Sequence, residues 1–324
     1  MTPHDGRLVT LLVPVYNELD VLPVLHSRID AITALADEYE FDILLVDDGS
    51  SDGSLELIKQ LAAEDSRVTY ISLSRNFGKE SAIIAGLDHA RGDCVVILDA
   101  DLQDPPELIP QMLKYWKEGY DDVFARRESR EGETWLKRWT SKTFYRVLEQ
   151  STDVPIQRDT GDFRLLDRRC VDAMVQFRES ERYTKGLFDW IGYRKKEILF
   201  ARDARVAGAT KWSYRKLFNF AIDGLTSFTT APLRWSTIMG FLVSIAAFVY
   251  MVVIIVRGII GIARVDGYPS LMAVILFLGG VQLISLGIIG EYLGRVFRES
   301  KRRPLYFVGE TNTSTDASRV PRDE

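Results

Sequence analysis

The sequence predicts an α/β protein with a mostly parallel sheet, carrying a two-helix transmembrane hairpin towards its C-terminus. Two patterns predict the sheet. Short apolar, β-branched runs alternate with helix-like stretches through the first 125 residues, the rhythm of successive βαβ units. Polar clusters recur directly after four of those runs, at the strand ends where parallel sheets bind ligands. A third pattern predicts the hairpin, since two uncharged apolar stretches, 236–256 and 267–290, lie one short segment apart.

In chain order, the predicted strands are 8–15 (LVTLLVPV), 41–46 (FDILLV), 68–73 (VTYISL), 94–98 (CVVIL) and 121–125 (DDVFA). Helices are expected near 19–37, 54–64, 78–90 and 106–118, the last opened by Pro105 and Pro106, because proline is preorganised for a first helical turn. Residues 134–150 and 211–228 interleave aromatic and basic side chains at helical spacing, for example Trp135, Trp139, Lys137 and Arg138. Both are expected to be amphipathic helices lying on a membrane surface.

Each of the stretches 236–256 and 267–290 spans about 20 residues without a charge, the length that crosses a hydrocarbon core. Arg215, Lys216 and Arg234 precede the pair, and Arg295, Arg298, Lys301, Arg302 and Arg303 follow it, against Arg257 and Arg264 between. Cytoplasmic segments carry the excess of Lys and Arg, so both termini are expected on that side. The N-terminus lacks the pattern of a signal peptide. After about residue 308 the polar tail is expected to be disordered. The expected organisation is thus a domain over 1–230 including the interfacial helices, two spans within 231–292, and a basic segment with a polar tail over 293–324.

A net charge of -5 and a pI near 5.5 disfavour nucleic acid as a partner. Cys94 and Cys170 are the two cysteines, and they lack metal-ligand spacing, so both are expected to be buried thiols in a reducing compartment.

The strand-end clusters are YNE (16–18), DDGSSDGS (47–54), SRNFGK (74–79) and DADLQD (99–104). In the last, two carboxylates at i and i+2 of an extended segment share a face. With an amide oxygen at Gln103, Asp99 and Asp101 form a set of hard ligands suited to Mg²⁺ or Mn²⁺. Asp52 is expected to act as a helix N-cap. Glycines 279, 280, 287 and 290 on the second span permit close helix packing, between copies in a homo-oligomer or within the hairpin.

The ordered set VPVYNE, VDDGSSDGS, RNFGKESAIIAG, LDADLQDPP, GDFRLLDRR and RVAGATKWSYRKL resembles the polyprenyl-phosphate sugar synthases among the family 2 glycosyltransferases, over roughly residues 8–305. The resemblance implies a Rossmann-like nucleotide-diphospho-sugar transferase domain of the GT-A type. By this resemblance Pro14, Tyr16, Glu18, Asp47, Asp48 and Lys79 contact the nucleotide, with Asp48 on the base and Asp47 more a capping acid. Asp99, Asp101 and Gln103 match the metal and diphosphate motif. Arg126, Lys137 and Ser141 resemble acceptor-phosphate contacts, and Arg205 and Lys211 match a loop that closes on the phosphates. Asp162 matches the catalytic base, with Asp159 the runner-up.

The implied reaction is inverting transfer of a sugar from a nucleotide donor to the phosphate of a membrane-embedded polyprenyl chain at the inner (cytoplasmic) membrane. Glucose from UDP-glucose on an undecaprenyl carrier is preferred from the segments RDTGDFRLLDRR and RYTKGLFDWIGY; mannose and an aminopentose are alternatives. A processive polysaccharide synthase would carry a Gln-x-x-Arg-Trp motif, where this chain has Ala231 in APLRW. A membrane-tethered nucleotide sensor would require that the acids bind no metal.

Overall fold

The computed structural model describes residues 6–127, 160–179, 184–200, 231–260 and 267–313. Eight strands form one sheet in the order β7-β5-β6-β4-β1-β2-β3-β8. They are β1 (Leu8–Val15), β2 (Glu40–Asp47), β3 (Val68–Leu73), β4 (Cys94–Ile97), β5 (Asp122–Arg127), β6 (Thr160–Asp167), β7 (Lys195–Phe200) and β8 (Val308–Thr311). β1 pairs parallel with β2 and β4, β2 with β3, and β5 with β7, whereas β6 runs antiparallel between β4 and β5. β1 is buried along almost its whole length, as expected of a central strand covered on both faces.

Helices α1 (Leu22–Thr33), α2 (Ser54–Glu64), α3 (Lys79–His89) and α4 (Ile109–Lys117) follow β1 to β4 in turn, α4 after a 3₁₀ turn at Pro106–Leu108. α1 buries Leu22, Leu25, Ile29 and Ile32, and α4 buries Ile109, Met112, Leu113 and Trp116, the spacing of a single helical stripe. α3 buries every residue from Ala82 to Leu87. It can lie this close to the sheet because of Gly86, where a Cβ would stand 2.0 Å from the Leu12 side chain. Two clusters, one on each face of the sheet, make the core. Cys94 and Cys170 are free and buried in them.

Beyond β6, α5 (Arg168–Met174) is capped by the Asp167 side chain, which accepts from Arg169 N, and α6 (Thr184–Trp190) leads to β7. The tail departs from expectation. Instead of being disordered from 308, Val308–Thr311 adds an antiparallel edge strand to β3. The Thr311 hydroxyl donates to Tyr70 O at 2.7 Å, and Tyr70 N donates to Asn312 Oδ1 at 2.6 Å. Its polar side chains face outward, as an edge strand allows, so they gave no apolar signal.

A separate unit holds α7 (Ala231–Ile259) and α8 (Tyr268–Ser300), while the chain from Arg303 belongs with the sheet. Both helices are long and apolar enough to cross a membrane, and large side chains such as Phe241, Phe248, Leu283 and Leu286 are exposed along them. Ser236 donates its hydroxyl to Ser285 at 2.8 Å, joining the two helices. A Cβ at Gly279, Gly280, Gly287 or Gly290 would meet nothing within 4 Å, so packing inside the hairpin does not account for them. The expected helices at 134–150 and 211–228 lie outside the described residues.

Candidate active site

The chain passes from β1 through β2 to β3 on one side of β1, then returns to lay β4 on the other. The two carboxyl ends that diverge here frame a crevice, the usual ligand site of an open α/β sheet. A cavity of about 290 Å³ opens there, lined by Pro14, Tyr16, Glu18, Asp48, Lys79, Asp99 and Asp101, all singled out in the sequence.

Its walls are stapled by short polar side chains. Asn17 adopts φ 54°, and its backbone N–H donates to Ser50 Oγ at 2.9 Å while its own Oδ1 accepts from Ser51 N at 2.8 Å. Glu18 N donates to Ser54 Oγ, and Asp52 accepts from Ser54 N, Ser54 Oγ and Leu19 N. The N-cap of α2 is Gly53, not Asp52 as expected; Asp52, one residue earlier, instead ties the start of α2 to the loop after β1. The serines of DDGSSDGS were the signal for this, passed over in favour of its acids.

The adjacent acids of that segment separate in role. Asp47 is fully buried and accepts from Ser50 N and the Ser72 hydroxyl, so it braces the turn and does not line the cavity. Asp48 lines it, and its two oxygens accept from Phe77 N at 2.7 Å and Gly78 N at 2.9 Å. Burial raises its pKa, with those hydrogen bonds and Arg75 opposing. Gly78 takes φ 96° to make this contact, a conformation glycine adopts without penalty.

After β4 the backbone is not extended as the Asp-x-Asp spacing implied. It turns at Ala100–Asp101, Leu102 takes φ 57°, and Gln103 N donates to Asp101 Oδ1 at 3.1 Å. A left-handed leucine is costly, and the turn alters how the acids face one another. The antiparallel register pairs Ile97 with Arg164, which two residues further on carries Asp162 to Asp99. Between them stands Lys79, the first residue of α3. Its Nζ is 2.6 and 2.8 Å from the two Asp99 oxygens and 2.5 Å from Asp162 Oδ2. Burial opposes the charge, yet Asp99 and Asp162 hold Lys79 above the usual lysine range. Burial pushes Asp99 up to about 6 even against Lys79.

The donor set fits a hard divalent cation. Asp99, Asp101 and Gln103 offer oxygen ligands, with Gln103 buried and Asp99 and Asp101 lining the cavity. Among the described residues the compact trio of ligand side chains is instead His26, Asp30 and Asp65, where Arg67 already pairs with both carboxylates.

Arg126, the penultimate residue of β5, lies opposite Thr160 and pairs with Glu197 at 3.1 Å, on the same sheet edge as Asp162. Lys137, Ser141, Asp159, Arg205 and Lys211 lie outside the described residues. Sequence reasoning also missed Arg164, buried two residues beyond Asp162. Its guanidinium bonds to Asp122 at 3.1 Å and stacks 3.7 Å over the Phe188 ring.

Comparison with known proteins agrees with this geometry. Residues 10–174 match the family described as glycosyl transferase family 2, and residues 231–296 match the GtrB C-terminal hairpin. An uncharacterized glycosyltransferase of Synechocystis is 49% identical over 93% of this chain and 95% of its own length. One of Bacillus subtilis is 40% identical over 97% of both chains. A protein of Shigella phage SfV named bactoprenol glucosyl transferase is 42% identical over 93% of this chain and 97% of its own.

Proposed function

The chain belongs to glycosyl transferase family 2 and is a membrane-associated glycosyltransferase, and from that premise we propose that it transfers glucose from UDP-glucose to the phosphate of a polyprenyl lipid. The observation that carries the reading is the meeting of Lys79, Asp99 and Asp162 at the mouth of a cavity framed by β1 and β4. The glucosyl group and the lipid acceptor are supported by the phage relative's name and its 42% identity.

In this reading Pro14, Tyr16, Glu18 and Asp48 hold the base and ribose of the donor. Its diphosphate extends towards Asp99, Asp101 and Gln103. A divalent cation held there, Mg²⁺ or Mn²⁺, would neutralise charge developing on the leaving diphosphate. Arg205 and Lys211 would contribute further positive charge, the electrostatic form of catalysis. Arg126, Lys137 and Ser141 would receive the acceptor phosphate at the membrane surface.

A phosphate monoester has a second pKa of about 6 and is largely dianionic at pH 7. It can attack without losing a proton, so Asp162 orients the reacting groups more than it abstracts a proton. Attack opposite the leaving group inverts the anomeric carbon. The two apolar helices would keep the enzyme at the inner membrane beside its insoluble acceptor, with both termini cytoplasmic by the excess of Lys and Arg outside the hairpin.

The test is transfer of radiolabelled sugar from a panel of UDP- and GDP-sugars to undecaprenyl phosphate in detergent, with Mg²⁺, with chelator, and with Asp101→Ala. The expected result is glucose entering the lipid phase from UDP-glucose alone, lost with chelator and in the variant. Label from a different donor corrects the sugar. No lipid-linked product from any donor, with UDP still bound, refutes the reaction.

A further inference from the structure

Lys79 sits where the proposed metal chemistry needs room. Its ammonium lies within 2.8 Å of both Asp99 oxygens and 2.5 Å from Asp162, so its hydrogen-bonding capacity goes to two buried or half-buried acids. A Mg²⁺ or Mn²⁺ ion binds carboxylate oxygens at about 2.1 Å, and an ion so close to Asp99 would crowd an ammonium already touching both oxygens. The two cations repel one another and compete for Asp99.

The surroundings let one of them yield. The Lys79 backbone is held in the first turn of α3, where the buried Thr184 donates its hydroxyl to the neighbouring Glu80. The flexible four-carbon stem is free to rotate about that fixed point. Lys79 also lines the cavity with Asp48 and Tyr16, so a short swing carries its charge to where the donor diphosphate is expected.

We propose that Lys79 is a resident counter-cation of the acidic site: it neutralises Asp99 and Asp162 in the resting enzyme, leaves Asp99 when a divalent cation binds, and then pairs with the donor diphosphate. This rests on the metal-dependent reading above. Lys79 thus sets the affinity of the site for metal and makes metal and donor bind together. Metal alone must displace an ion pair, whereas metal with a diphosphate offers the displaced ammonium a new anionic partner.

The test uses the full chain in detergent, with binding of Mn²⁺ followed by the electron paramagnetic resonance of the free ion, with and without UDP. Without UDP, Lys79→Met is expected to bind Mn²⁺ at least about tenfold more tightly than the wild type, since a unit charge has left contact distance. UDP should tighten Mn²⁺ binding less in the variant than in the wild type. Equal or weaker binding by Lys79→Met would overturn the exchange while leaving the metal reading in place. Absence of Mn²⁺ binding to either protein, with or without UDP, would overturn both.

A second measurement needs no variant. Amine labelling of the wild type read by mass spectrometry should find Lys79 protected at rest, several-fold more reactive with Mn²⁺ alone, and protected again with Mn²⁺ and UDP. Labelling unchanged by Mn²⁺ refutes displacement of the side chain.

Discussion

Replacing Arg164 with methionine tests whether the strand that carries Asp162 is fixed by a buried ion pair. Arg164 is 2% exposed and Asp122 fully buried, at 3.1 Å. Burial pushes Asp122 up in pKa while Arg164 and Lys195 oppose it. Removing one partner of such a pair costs about 3–5 kcal/mol, because the other charge is left uncompensated. Lys195 stands 3.8 Å from Asp122 but is shared with Asp189, and methionine retains most of the contact with Phe188. The lower end, about 3 kcal/mol, is therefore expected.

For a domain of this size each kcal/mol moves Tm by about 2–4 °C, so Arg164→Met should melt roughly 6–12 °C below the wild type. Thermal unfolding in detergent, followed by tryptophan fluorescence, reads this. The double variant Arg164→Met with Asp122→Leu should recover much of the loss, since no charge is then buried alone. A single variant melting within about 2 °C of the wild type, or a double variant no more stable than the single, would refute the account.

Asp162→Asn, by loosening the hold on the reacting groups, should lower turnover about 100-fold with UDP affinity unchanged by calorimetry; unaltered turnover would remove Asp162 from the reaction. Asp65 has its pKa lowered to about 2, chiefly by hydrogen bonds from Arg67, against an ordinary 3.8. A depressed acid stabilises the fold above its unfolded pKa and loses that contribution as pH falls through the folded one. About 2 kcal/mol should therefore disappear between pH 4 and pH 2. Acid unfolding of Asp65→Asn should lack that component, and parallel curves for the two proteins would contradict it. Truncation after Phe307 removes β8 and uncovers the edge of β3. With three hydrogen bonds to Tyr70 lost besides those of the strand pairing, at about 1 kcal/mol each, Tm should fall by several degrees and the exposed edge should promote self-association, read by light scattering. An unchanged Tm would mean that the tail does not hold the edge.

Strands β1 to β4 were legible because each is a compact apolar run ended by polar residues. β1 and β3 occupy the residues expected, and β2 extends one residue further at each end. The later strands were not. β7 reads KKEILF and β8 reads VGET, sequences whose charge or polarity suits sheet edges but hides the period of two. The cavity lining was legible for the same reason as the parallel strands, since residues after successive strands must share one edge. The turn at Leu102 was not, because nothing in DADLQD announces a left-handed leucine.

The reversal of β6 explains the largest gap between the two views. Reading the ends of parallel strands finds Asp48 and Asp99, but an antiparallel strand contributes its beginning to that edge. Asp162 lies near the start of β6, whereas Asp167 at its other end bonds Trp116 Nε1 beneath the core. A rule built on strand ends would therefore select the wrong acid of GDFRLLD, and only the motif resemblance pointed to the right one. The same reversal accounts for Lys79. Inserting β6 beside β4 sets a second carboxylate against Asp99, and α3 begins where its first residue, Lys79, reaches both. The positive charge that buried acids require is supplied by the chain itself at rest, and that makes exchange with a divalent ion a property of the fold.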